Sequence, residues 1–191
     1  MKTHVKTKFT ATHRFLHAII AVLMLLLYIT GFLRMYWMSK KTLLLAVETT
    51  LTNQNVTMEQ KQLIPIARAI QAPMWQWHEY AAVALALMFF VRIIYMLACG
   101  IRFPSPFKKV QPFKKRLHGM VYLLFYVFTG ISIITGFYLK WGDGTYKAPM
   151  EAIHKWGLYW FLSFVVLHFA GILIAELRDN KGIASKMIGG D

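Results

Sequence analysis

Residues 150–176 read MEAIHKWGLYWFLSFVVLHFAGILIAE, and no charged side chain occurs from Trp156 to Ala175. At about 1.5 Å rise per residue, that uncharged run matches a hydrocarbon core of about 30 Å, so the stretch is a membrane span. The longer run holds two histidines, His154 and His168, fourteen positions apart. Fourteen steps of about 100° come within roughly 40° of whole turns and cover about 21 Å. Both imidazoles therefore lie on one helix face, one toward each boundary of the bilayer. Ionisable groups at such depth are costly and mark functional positions. The competing reading is one histidine snorkelling at an interface and the other hydrogen-bonded inside a bundle.

Three further runs, centred on residues 15–33, 80–98 and 117–139, are long and apolar enough to span. With 57% hydrophobic and 16% charged residues, and the polar ones gathered between the runs, the chain reads as an all-α integral membrane protein. The expected architecture is one four-helix transmembrane domain over 1–191. Its spans are placed at about 10–37, 73–98, 115–139 and 149–177, with an outer connection over 39–72.

The net charge of +14 follows topology rather than nucleic-acid binding. Lys2, Lys6, Lys8 and Arg14 precede the first span. Arg102, Lys108, Lys109, Lys114, Lys115 and Arg116 join the second to the third, and Arg178, Lys181 and Lys186 follow the fourth. The other two connections balance Lys40, Lys41, Lys61 and Arg68 against Glu48 and Glu59, and Lys140 and Lys147 against Asp143 and Glu151. Basic connections stay on the cytoplasmic side, so both termini are expected there, in a bacterial inner membrane with lipid as the surrounding partner. The lysine-rich start imitates a signal peptide, but its run is long, contains His17 and Arg34 and lacks a small-residue cleavage site, so it is expected to remain as the first span.

Cys99 is the only cysteine, which excludes internal disulfides, thiolate zinc sites and iron–sulfur clusters held by this chain alone. Histidine is left as the metal ligand. The second span opens with Ala72-Pro73-Met74 and reaches His78; the fourth opens with Ala148-Pro149-Met150 and reaches His154 at the same offset. Proline suits the first turn of a helix, so His78 and His154 are expected at similar depth near the outer leaflet. His17 and His168 lie nine and ten residues from the cytoplasmic charges Lys8 and Arg178, which makes a second, inner level. His13, one turn before His17, shares its side, and the deeper His17 is preferred. Two haems b, each held by two histidines, fit this pattern, with His17, His78, His154 and His168 as the iron ligands. No Cys-x-x-Cys-His motif is present, so attachment is expected to be noncovalent.

Arg92 stands fourteen positions after His78, at the level of His168, where a propionate is the natural partner and snorkelling the alternative. Arg14 is a second propionate candidate. Gly31, fourteen after His17, and Gly157, three after His154, are candidate cofactor-binding positions where a macrocycle can approach backbone; taken alone, ordinary helix packing is the preferred reading. Gly171, three after His168, is open to the same two readings, and Gly130 and Gly136 are read as packing residues. Thr10 is placed to cap the first helix. Segments Thr42–Leu51 and Met58–Ile70 of the outer connection are expected to be helical, as an amphipathic cap on the bilayer surface. His118, among Lys114, Lys115 and Arg116, reads as interfacial.

Arg14-Phe15-Leu16-His17, His78 with Arg92, His154-Lys155-Trp156-Gly157 through His168, and the closing Asp179-Asn180-Lys181-Gly182 with Lys186-Met187-Ile188 together resemble the prokaryotic cytochrome b561 family. That family is related to the b-type cytochrome subunits of nickel–iron hydrogenases and formate dehydrogenases. The resemblance spans nearly the whole chain. It implies a respiratory-chain, di-haem electron-transfer protein linking the membrane quinone pool to a periplasmic or membrane redox partner. The chain departs from the pattern at Ala18, where a tryptophan is usual, and in its longer 39–73 connection. Proton exchange with a quinone would draw on His13, His118, Glu79 or Glu176. Two other classes compete. One is a stand-alone superoxide:quinone oxidoreductase guided by Lys40, Lys41, Lys140, Lys147 and Lys155, so that enzyme status is open; the other is a transport or structural protein without haem.

Overall fold

The computed structural model describes residues 9–100, 106–107, 111–178 and 182–189. Lys2, Lys6, Lys8, Arg102, Lys108, Lys109, Asp179, Asn180 and Lys181, used above for topology and family resemblance, lie outside the described residues. The helices are α1 (Ala11–Met35), α2 (Lys40–Asn53), α3 (Gln60–Ala98), α4 (Phe113–Trp141), α5 (Lys147–Lys155), α6 (Gly157–Arg178) and the short α7 (Ile183–Ile188). No strand occurs among the described residues. Four segments are long and apolar enough to cross a membrane: α1, α3, α4 and the α5–α6 pair. Their outward apolar side chains, such as Leu97 at 77% and Ile134 at 68% exposure, are what a lipid-facing surface requires. The chain divides into two compact units, Met1–Ala21 with Ala86–Asp191, and Val22–Leu85.

In the Val22–Leu85 unit, Ser39 caps α2 by accepting from the Thr42 N–H at 3.2 Å. No residue of α2 is buried, in keeping with a surface segment. The second helical segment of the connection behaves differently from expectation. It is continuous with the span, so α3 starts at Gln60 and both Pro65 and Pro73 fall inside it. Pro73 is thus an interior residue and not a first-turn residue. The reason is the burial pattern: Leu63, Ala67, Gln71 and Met74 are all buried at helical spacing, and the stripe continues to Ala81 and Leu85. An interior proline costs about 3 kcal/mol, which the burial of this stripe offsets. Gln71 donates from its amide to the Met38 carbonyl, tying the turn ahead of Pro73 to the chain just after α1.

In the other unit, Thr10 caps α1 as expected, its hydroxyl accepting from the His13 N–H at 3.2 Å. α4 packs against α5 and α6. The α4–α5 turn is closed by Asp143, which accepts from the Tyr138 hydroxyl at 2.6 Å, the Thr145 N–H at 3.0 Å and the Thr145 hydroxyl at 2.9 Å. These donors hold the Asp143 carboxyl below the usual carboxylate range, the Tyr138 hydroxyl contributing most. Gly144 supplies the φ of +86° that the turn needs. Pro149 sits in the first turn of α5, where its missing N–H is harmless.

The fourth span, expected as one helix, is interrupted at Trp156. There the N–H is shared between the carbonyls of Ile153 at 3.1 Å and Ala152 at 3.4 Å, a tightened step between α5 and α6. Glu176 near the end of α6 accepts from the N–H groups of Gly182 and Ile183 at 2.5 and 2.9 Å. That carboxylate anchors the start of α7, which reduces its standing as a proton-exchange group.

Candidate haem site

Two of the four candidate ligands, His17 and His168, come together within one unit. α1 carries His17 and α6 carries His168, and their ring centroids are 6.2 Å apart with planes inclined at 36°. A metal bound at about 2 Å from one nitrogen of each ring sets the two centroids roughly 6 Å apart, so the spacing fits bis-imidazole ligation of one iron. Phe164 stacks on His168 at 5.4 Å and 20°, and Phe125 lies 4.7 Å from Phe164. This aromatic wall fixes the ring's tilt. His13 stacks instead on Phe9 at 5.4 Å. His118 lies against Tyr122 at 4.8 Å, and its side chain is exposed.

Arg92 is buried, 6% exposed, and donates through Nε to the Tyr126 hydroxyl at 2.9 Å; that hydroxyl in turn faces the Met96 sulfur at 3.1 Å. It lies within electrostatic range of His13, His17 and Tyr122. A guanidinium at this depth calls for an anion close by. Arg14 donates from Nη1 to the Ile188 carbonyl at 3.4 Å, while its buried Nε has no partner among the described residues. Both arginines thus suit the carboxylates of a haem.

The other two candidate ligands, His78 and His154, each meet a threonine within their own unit. On the Val22–Leu85 side, Thr30 Oγ1 lies 2.8 Å from His78 Nδ1, and Trp75 meets that ring edge-on at 5.6 Å. In the other unit, Thr135 Oγ1 lies 3.1 Å from His154 Nδ1. A Cβ built on Gly136 would stand 3.1 Å from His154 Cε1, so the absence of a side chain there admits the imidazole against α4.

A Cβ built on Gly157, a candidate cofactor-binding position, would stand 3.6 Å from Ser132 Oγ and 3.7 Å from Trp160 Nε1, ordinary packing distances. A Cβ on Gly31 meets no described atom within 4 Å. Arg34, noted in the sequence only as a charge on the first span, has its guanidinium 5.7 Å from the Trp75 ring centroid, and its buried Nε lacks a partner among the described residues. Within α5, Lys155 is paired with Glu151 at 2.6 Å.

Thr30, Thr135 and the contact of Gly136 with His154 were not read from the sequence, where Gly136 stood only as a packing residue and Arg34 only as a charge. A signal for the first three existed: Ile-Thr-Gly-Phe occurs at residues 29–32 and again at 134–137. Among the described residues no group of three or more His, Cys, Asp or Glu converges as a metal site. Paired imidazoles are too few for a bare structural metal ion, yet they are what a haem needs beyond its own four nitrogens.

An all-α chain with four candidate spans, two of which bring His17 and His168 face to face, fits a membrane cytochrome of the b type. The family model for prokaryotic cytochrome b561 matches residues 8–190, and the chain belongs to that family. Membership implies haem b binding and a role in electron transfer. No curated protein and no solved structure matches the chain.

Proposed function

We propose that this protein is a di-haem b cytochrome of the bacterial inner membrane, with both termini cytoplasmic. It passes electrons between the quinone pool and a redox partner at the outer face. The observation that carries the reading is the facing of His17 and His168 at 6.2 Å on two different spans. For the outer level the support is the shared Ala-Pro-Met offset of His78 and His154, each with Nδ1 occupied by a threonine hydroxyl.

Bound haem supplies a one-electron iron couple. The chain's own residues set its conditions. His17 with His168, and His78 with His154, would hold the iron between them and leave no site for a small-molecule ligand such as oxygen. Phe164 stacks on His168 and is backed by Phe125. Arg92 and Arg14 compensate carboxylates at the cytoplasmic level, and Arg34 is suited to the same task beyond His78. His13 and His118, near the cytoplasmic charges, are the groups offered for proton exchange with a quinone.

Visible spectroscopy of the purified protein tests this. Dithionite should develop a b-type α band, and a short-chain quinone analogue should reoxidise it. No such band, or a reduced band indifferent to quinone, would overturn the reading.

A further inference from the structure

Resting on the ligand reading above, we infer that Thr30 and Thr135 are positioning residues that fix the Nδ1–H tautomer of His78 and His154 and so present Nε2 of each ring to iron.

The argument starts from the single hydrogen of a threonine hydroxyl. Thr30 Oγ1 stands 2.8 Å from the Leu26 carbonyl, and Thr135 Oγ1 stands 2.8 Å from the Ile131 carbonyl. A backbone carbonyl only accepts, so each hydroxyl gives its one hydrogen to the turn behind it. What then faces the imidazole is an oxygen lone pair, and Nδ1 must be the donor, at 2.8 Å to Thr30 and 3.1 Å to Thr135. A neutral imidazole that is N–H at Nδ1 carries its lone pair at Nε2.

Burial makes the arrangement strict. Thr30 is 5% and Thr135 4% exposed, so water does not substitute for either hydroxyl. Each threonine is followed by glycine, and at Gly136 the missing side chain lets His154 approach to a distance that a Cβ would crowd. The two copies of Ile-Thr-Gly-Phe, each on the helix facing an Ala-Pro-Met-x-x-x-His segment of its own unit, therefore form the same device twice.

A hydrogen bond accepted from Nδ1–H raises the electron density of the ring and strengthens it as a ligand to ferric iron. Thr30→Val and Thr135→Val keep the shape and remove the hydroxyl oxygen that faces Nδ1, while the backbone hydrogen bond of His154 at Ser132 remains. In the full-length protein each should raise the midpoint of one haem, the double variant more than either. The second haem, served by His17 and His168, should keep its midpoint and so report an intact fold. Thr30→Ser and Thr135→Ser should hold the wild-type midpoint. Loss of that one haem in the valine variants, with retention in the serine variants, would support the inference equally. Unchanged midpoints in both valine variants, or serine variants as defective as valine, would overturn it.

Should the valine variants lose both haems, the wild-type protein decides. With its histidines labelled with nitrogen-15 and its iron reduced, His78 and His154 should each show a slowly exchanging Nδ1–H proton, and its absence would overturn the inference. His154→Ala separates the two levels of argument. A variant that keeps both haems removes the ligand reading itself, whereas a variant that loses one while the threonine changes do nothing removes only the role of the threonines.

Discussion

His17 and His168, on the first and last spans, face each other with ring centroids 6.2 Å apart and planes inclined at 36°. Neighbouring rings at this distance and tilt have room for one metal between them. The relationship separates His17 from His13, one turn away, whose ring stacks on Phe9. His17→Ala should therefore lower haem content by one per chain, and His13→Ala should leave it unchanged. A redox titration of each variant checks this; retention of both midpoints in His17→Ala would assign the ligand elsewhere.

Arg92 is a buried cation joined to Tyr126 through a 2.9 Å hydrogen bond. Replacing it by leucine removes positive charge from the surroundings of His17, so the ferric state, with one more positive charge, gains relative to the ferrous. The midpoint of the haem at that level should fall. A charge-assisted contact contributes about 1.5–3 kcal/mol in all, and only the part that differs between oxidation states shifts the potential, so a fall on the order of tens of millivolts is expected. Tyr126→Phe, which keeps the charge, should shift it less. Potentiometric titration followed in the α band measures both.

Gly136 and Gly157 make contrasting predictions. Alanine at 136 would put a Cβ 3.1 Å from His154, and the ring must yield by a few tenths of an ångström. Overpacking of this kind costs about 1–3 kcal/mol, so Gly136→Ala should weaken retention of the haem served by His154 by roughly tenfold or more. Gly157→Ala meets nothing closer than 3.6 Å and should retain haem as the parent does. Haem-to-protein ratios after extended detergent washing compare the two.

Asp143 ties the α4–α5 turn together, and its carboxyl is held below the ordinary value of 3.8 by the Tyr138 hydroxyl first and by Thr145 second. A depressed folded-state value means that the ionised form stabilises the fold above the unfolded pKa. That contribution is lost as pH falls through the folded value. The melting temperature of the protein should exceed that of Asp143→Asn at neutral pH, and the difference should close only below about pH 4. The effect should be small because the group is exposed. A difference that widened on acidification would contradict the sign.

The four spans were readable from apolar length alone, and α2, the Thr10 cap and the place of Pro149 followed from local chemistry. Residues 58–70 are helical from Gln60 on, as expected, but their continuity with the span was hidden because Pro73 reads locally as a helix start. Continuation of a buried stripe through Leu63, Ala67, Gln71 and Met74 is a tertiary effect that outweighs one proline. The step at Trp156 is likewise invisible to helical periodicity. Histidines and arginines announced themselves as ionisable groups in an apolar run. Thr30 and Thr135 did not, since a hydroxyl can satisfy itself on its own helix, and only the packing of His78 and His154 against them reveals a second task.

The account stands most directly on the number of haems. A pyridine haemochrome assay on purified protein of known concentration should return two haems b per chain, extractable by acid acetone because no thioether attachment exists. One haem per chain would contradict the two-level arrangement of His17 with His168 and His78 with His154, and none would remove the cytochrome reading altogether.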